Sequence, residues 1–120
     1  MKTLLIVEDE ESNFMLLINI LKNKNFRMLH AKNGKEAVEV CTSDSSIDLV
    51  LMDIKMPVMD GYEATQHIKH QRPNLPVIAQ TAYALNGDKE MTLSAGCDDY
   101  ISKPIKRQEL LLLIDKYLKP

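Results

Sequence analysis

Short apolar runs without alternation stand at Leu4 to Val7, Asp48 to Met52 and Val77 to Ala79, the pattern of parallel strands buried on both faces. Between them the period becomes helical. Phe14, Leu17, Ile18 and Leu21 recur at helical spacing within Glu11 to Lys24, and Ala37, Val38 and Cys41 within Lys35 to Cys41. Asn33-Gly34 breaks the chain before the second helix, Asp60 is a candidate N-cap for a third, and Asn86 or Gly87 opens a fourth that ends near Gly96. A last helix fills Arg107 to Leu118. Weaker strand signals at Arg27 to Ala31 and Asp99 to Ser102 complete five strand and helix alternations. This predicts an α/β chain with a doubly wound, five-stranded parallel sheet inside a three-layer sandwich, as a single domain over 1–120.

Four of these runs stop at a polar residue: Glu8 and Asp9 after LLIV, Asp53 after LVLM, Thr81 after VIAQ, Lys103 after YIS. All four stops lie at C-terminal strand ends, the edge where open parallel sheets bind ligands, so one site should gather them. Three crowded carboxylates repel one another unless a cation neutralises them or protons remain bound. Hard oxygen ligands in an incomplete cage suit Mg²⁺. A carboxylate can also attack phosphorus. Asp53, ending the strand expected to be central, is the nucleophile candidate, with Glu8 and Asp9 placed to hold metal and Lys103 and Thr81 to hold phosphoryl oxygens.

Composition narrows the partners. The 120 residues carry a formal charge of −2, which offers no electrostatic footprint for nucleic acid or an anionic membrane. Cys41 and Cys97 show no metal or redox spacing and read as reduced and buried. The opening apolar run ends at Glu8, too short for a signal peptide, which leads to the expectation of a cytoplasmic protein. His67 and His70 share a charged helix face with Lys69 and Arg72, where solvation explains them, and Met52 and Met56 beside Asp53 are explained by core packing.

The sequence resembles the receiver domains of bacterial response regulators and hybrid histidine kinases along essentially its whole length. Val7-Glu8-Asp9-Glu10 is similar to the family's acidic opening, and Asp53 with Met56-Pro57 and Asp60-Gly61 to its phosphoacceptor loop. Thr81-Ala82 matches its switch, and Asp98-Asp99-Tyr100 through Lys103-Pro104 its closing signature. The resemblance implies a flavodoxin-like strand order of 2-1-3-4-5 and a Mg²⁺-dependent signalling switch phosphorylated on Asp53. Asp9, Asp53 and the Lys55 carbonyl should ligate Mg²⁺ directly and Glu8 through water. Lys103 and Thr81 should hold the phosphoryl group, Lys103-Pro104 should be cis, and Thr81 should couple to Tyr100, remodelling the surface of helix 4, strand 5 and helix 5. Lys55 and Tyr83 flank the route of hydrolytic water and should tune phosphate lifetime. Glu8 departs from the aspartate commonest at its position by one methylene, which should preserve metal binding.

The implied donor is a histidine kinase or a histidine phosphotransfer domain. Leu16 and Ile20, left on the polar side of the first helix, form a docking patch with Asn13. Oligomerisation stays open, since a phosphorylation-dependent dimer could use the helix 4 to helix 5 face or none. Three rivals are weaker. A flavodoxin-type carrier needs amide donors where this chain has carboxylates, and a haloacid dehalogenase-type phosphatase needs an acid where Lys55 stands. A receiver-like interaction module that is never phosphorylated would have no use for the intact acidic set.

Overall fold

The computed structural model describes residues 1–56, 58–81 and 88–118. The elements alternate as β1 (Thr3–Val7), α1 (Glu11–Leu21), β2 (Arg27–Ala31), α2 (Gly34–Ser43), β3 (Ile47–Asp53), α3 (Gly61–Gln71), β4 (Val77–Thr81), α4 (Asp88–Ser94), β5 (Asp99–Ser102) and α5 (Arg107–Leu118). All strand pairs are parallel, in the order β2-β1-β3-β4-β5. The doubly wound sheet read from the apolar runs is therefore the fold. The expected openings of the fourth helix, Asn86 and Gly87, lie outside the described residues.

Strand side chains alternate between faces, and two cores follow. Leu4, Ile6, Leu49, Leu51, Ile78 and Ile101 pack with α1 and α5 through residues such as Leu17, Leu21, Leu110 and Ile114. Leu5, Val7, Val50, Met52, Val77 and Ala79 pack with α2 and α3 through Ala37, Cys41, Ala64 and Ile68. Each fully buried aliphatic side chain contributes about 1.5–3 kcal/mol. The thiols are free and buried; burial pushes that of Cys41 up to about 11, so it stays protonated. No helix among the described residues is long and apolar enough to cross a membrane.

Local chemistry sets the helix ends. Asn33 and Asp60 accept the backbone N–H groups of Glu36 and Glu63 and cap α2 and α3, each satisfying an orphan donor of the first turn. The first helix stops at Leu21, short of the expected Lys24, because Lys24 N–H turns back to the Leu21 carbonyl and Asn25 enters the left-handed region at φ 59°. Ile20 requires a correction: it is buried among the α1 and α5 core residues and is not part of an exposed patch. The stripe is centred on Leu17, three residues before Ile20, so it covers Ile20 on one flank as it covers Phe14 on the other.

Candidate functional site

Strand order reverses between β1 and β3, and the acids sit across that switch point. Glu8 and Asp9 follow β1, and Asp53 closes β3. One oxygen from each of the three lies within 4.8 Å of the others. Glu8 and Asp53 are buried, at 1% and 4% exposure, while Asp9 is exposed. Lys103 Nζ stands 3.4 Å from Asp53 Oδ1 and 3.8 Å from Glu8 Oε2. Thr81 ends β4 in the same cleft, a space of about 320 Å³ also lined by Glu10, Asn13, Ile54, Lys55 and Gln80. The Lys103-Pro104 peptide is cis.

Main-chain bonds fix the loops that carry these groups. The residues just past β1, β3 and β5 are tied to the neighbouring strand: Glu8 N–H donates to the Ala31 carbonyl at 3.0 Å, Ile54 to Gln80 at 3.2 Å and Lys103 to Thr81 at 2.8 Å. Lys55 N–H donates to Asp53 Oδ1 at 3.2 Å, and Lys55's own side chain is exposed. The β3–α3 loop closes through Gly61 N–H to the Ile54 carbonyl and is held from outside by Gly34 N–H to Met59. Glycine is required at both, since a Cβ would lie 2.3 Å from the Asp53 carbonyl at 61 and 2.4 Å from that of Met59 at 34. In the same loop the β-branched Val58 is held at φ 71° and is 77% exposed, a strained conformation of the kind that concentrates at functional loops.

Electrostatics make the cleft a cation site. Burial, and then the Asp53 charge, push the Glu8 carboxyl up from 4.5 to about 7. Burial also raises Asp53, against the opposing pull of Lys103 and the Lys55 N–H. Three carboxylates against one ammonium leave two negative charges, which one divalent cation neutralises. Glu8 Oε2 is shielded from solvent without a hydrogen-bond partner, so an acceptor is free to serve a metal's water. Oxygen donors in an incomplete set fit Mg²⁺. These residues therefore suit that ion.

Several roles differ from expectation or were not foreseen. Asn13 turns inward, and its Nδ2 donates to Glu8 Oε1 at 3.4 Å, while Leu16 remains 43% exposed. His30 places Nε2 2.9 Å from the Glu8 carbonyl oxygen and stacks on Phe14 with centroids 3.7 Å apart; a lone histidine on a weak edge strand gave no signal of this. Gln80, a polar residue inside an apolar run, was the legible but unread sign of a further cleft residue. Tyr100 is half-buried against the α2 and α3 core. Pro57, Ala82 and Tyr83 lie outside the described residues.

An acidic, metal-ready pocket at the switch point of a 2-1-3-4-5 parallel sheet defines a narrow class of α/β proteins. Within it, the chain belongs to the response regulator receiver domain family, whose model matches residues 4–115. It is 37% identical over 119 residues to the polar-differentiation response regulator DivK of Brucella anthropi, a match covering 98% of this chain and 96% of that protein. It is 41% identical over 119 residues to hybrid signal transduction histidine kinase M of Dictyostelium discoideum, covering 94% of this chain but only 5% of that much longer protein. The crystal structure of the receiver domain of sensor histidine kinase PA1611 from Pseudomonas aeruginosa, with a magnesium ion coordinated in its active site cleft, superposes with a TM-score of 0.92. The two share 36% identity, over 99% of this chain and 98% of that one. Glu8, Asp9 and Asp53 form the acidic pocket typical of a receiver Mg²⁺ site. A receiver is a phosphoacceptor module rather than a turnover enzyme.

Proposed function

We propose that this domain is a phosphoryl-accepting switch whose acceptor is Asp53. The observation that carries the reading is the buried Asp53 carboxylate, 3.4 Å from Lys103 Nζ, within one acidic cluster with Glu8 and Asp9. A carboxylate oxygen of Asp53 attacks phosphorus, the bond from phosphorus to the donor's imidazole nitrogen breaks, and the imidazole leaves with the electron pair and takes up a proton. Asp9, Asp53 and the Lys55 carbonyl would hold Mg²⁺, and Glu8 would hold one of its waters. When bound, the ion screens the charge between carboxylate and phosphoryl oxygens. Lys103 pairs with a phosphoryl oxygen and Thr81 donates its hydroxyl to another. Lys55, exposed beside the cleft, tunes access of hydrolytic water together with Tyr83.

Receiver domains pair with histidine kinases or histidine phosphotransfer proteins, and this chain's donor is of that kind. Leu16, on the rim of a recess it shares with Pro104 and Ile105, is its contact. Leu16→Asp should weaken transfer from such a protein while leaving acetyl phosphate effective; equal loss with both donors removes Leu16 from the interface. The signal leaves through Thr81 and Tyr100, which favour a second state once phosphate adds charge-assisted contacts. The exposed Met91 of α4 and Leu112 of α5 lie on the helices of the output surface, where a phosphorylation-dependent dimer would form. Intact-mass spectrometry after incubation with acetyl phosphate tests the core reading. One Mg²⁺-dependent phosphoryl adduct, absent in Asp53→Asn and labile to hydroxylamine, is expected. No adduct on folded, Mg²⁺-bound wild type would make the domain an unphosphorylated interaction module.

A further inference from the structure

Gln80 is polar in a strand whose preceding residues are apolar, yet it is 1% exposed, and its Nε2 is shielded from solvent without a hydrogen-bond partner. A buried donor left unsatisfied is destabilising, and native structures keep few such groups without a reason. Strand alternation fixes where this one points. Leu49, Leu51 and Ile78 face the α1 and α5 core, whereas Met52 and Ala79 face the opposite one. Asp53 and Gln80 therefore project from the same face of the sheet. They are also register partners on adjacent strands, which run about 4.8 Å apart. Gln80 lines the cleft with Asp53, Thr81 and Lys103. It likewise lines an 80 Å³ recess with Lys103, Asn13 and Leu17.

We propose that Gln80 is a catalytic residue of the site, donating a side-chain N–H to an oxygen of the phosphoryl group on its way to Asp53, as a third donor beside Thr81 and Lys103. This rests on the reading of Asp53 as phosphoacceptor. In transfer from acetyl phosphate, an Asp53 oxygen bonds to phosphorus, the bond from phosphorus to the acetate oxygen breaks, and acetate departs with the electron pair. Gln80 neither gains nor loses a proton. Its contribution is a fixed neutral dipole in a buried position, which needs no reorganisation as charge shifts between oxygens. Unlike Lys103, it adds no charge that the carboxylates could capture in the resting state.

Gln80→Leu and Gln80→Met retain most of the side-chain volume and delete the donor. Adduct formation with acetyl phosphate and Mg²⁺ is followed by intact mass for wild type and both variants, with Mg²⁺ affinity measured separately. About tenfold slower phosphorylation is expected in both variants, with Mg²⁺ affinity within twofold, the loss of one hydrogen bond to a charged group. In ¹⁵N spectra of the wild type, the Gln80 side-chain amide should shift when beryllofluoride is added with Mg²⁺, but not with Mg²⁺ alone. Phosphorylation within twofold of wild type, with an amide resonance indifferent to beryllofluoride, overturns the proposal. A purely structural amide would instead leave both variants less stable but equally fast, which also overturns the proposal. If both variants misfold, the wild-type spectrum decides. If wild type takes no phosphoryl group at all, it is the assignment of Asp53 that has failed.

Discussion

The two edges of the sheet solve opposite problems with similar residues. At the N-terminal edge the polar groups are matched. Arg72 donates to the carbonyls of Asp44, Ser45 and Ile47, the last at 2.9 Å. Asp48 accepts the Thr3 N–H where the β1–β3 register shifts. Asp98 accepts both Val77 N–H at 2.8 Å and Lys69 Nζ at 2.6 Å. At the C-terminal edge, buried Glu8 and Asp53 share one ammonium, while Glu8 Oε2 and Gln80 Nε2 have no hydrogen-bond partner. Acids at the first edge close the fold, and acids at the second hold it open to a ligand. The number of charges matters less than whether each has a partner in the resting chain.

Gly61→Ala should blur this contrast most. A Cβ there meets the Asp53 carbonyl at 2.3 Å and Ile54 Cα at 2.7 Å, backbone atoms that cannot step aside cheaply. Phosphorylation by acetyl phosphate should fall at least tenfold and stability by about 3 kcal/mol, read from mass kinetics and urea unfolding; a folded, fully active variant would show that the loop tolerates displacement. Arg72→Ala acts at the other edge and should cost about 2 kcal/mol by loss of charged hydrogen bonds, with the phosphorylation rate within twofold of wild type. A slowed rate there would mean the two edges are coupled.

The smallest effect is in pH. The Glu8 carboxyl sits near 7 in the folded chain against 4.5 as its ordinary value, so between those limits the folded state holds a proton that the unfolded state has released. Metal-free stability should therefore decline as pH rises from about 5 to about 8, by on the order of 1–2 kcal/mol. Mg²⁺ favours the ionised carboxylates, so the stabilisation it gives should grow over the same window. Urea midpoints at the two ends, with and without Mg²⁺, measure both slopes. A flat metal-free profile would mean that Glu8 is not strained in the resting domain.

Much of this was legible because strands buried on both faces leave unbroken apolar runs, and their polar stops mark the functional edge. Glu8, Asp9, Asp53, Thr81 and Lys103 were all found as such stops, and Asp60 as a cap. Helix faces were harder. The width of the buried stripe on α1 depends on how far the helix sinks between the sheet and α5, which its own sequence does not encode, and Ile20 was misassigned for that reason. Asn13 shows the same limit, since a polar residue near a helix start reads as surface until the neighbouring carboxylate is in place. Gln80 could have been noticed by strand parity, as it shares the face of Asp53 one strand away. His30 could not, because its ring contact with Phe14 joins an edge strand to a helix.

The backbone bonds at the strand ends have a consequence for how such a pocket changes over generations. Glu8 to Ala31, Ile54 to Gln80, Lys103 to Thr81 and Gly34 to Met59 are joined by amide and carbonyl alone. The framework of the cleft is thus written in atoms that nearly every amino acid supplies, while its chemistry is written in side chains that project from it. On the roles proposed above for Gln80, Lys55 and Leu16, substitutions there would revise tempo and partner choice without renegotiating the scaffold. Drift is confined instead at the two glycines, where a single methyl group would press on the frame itself.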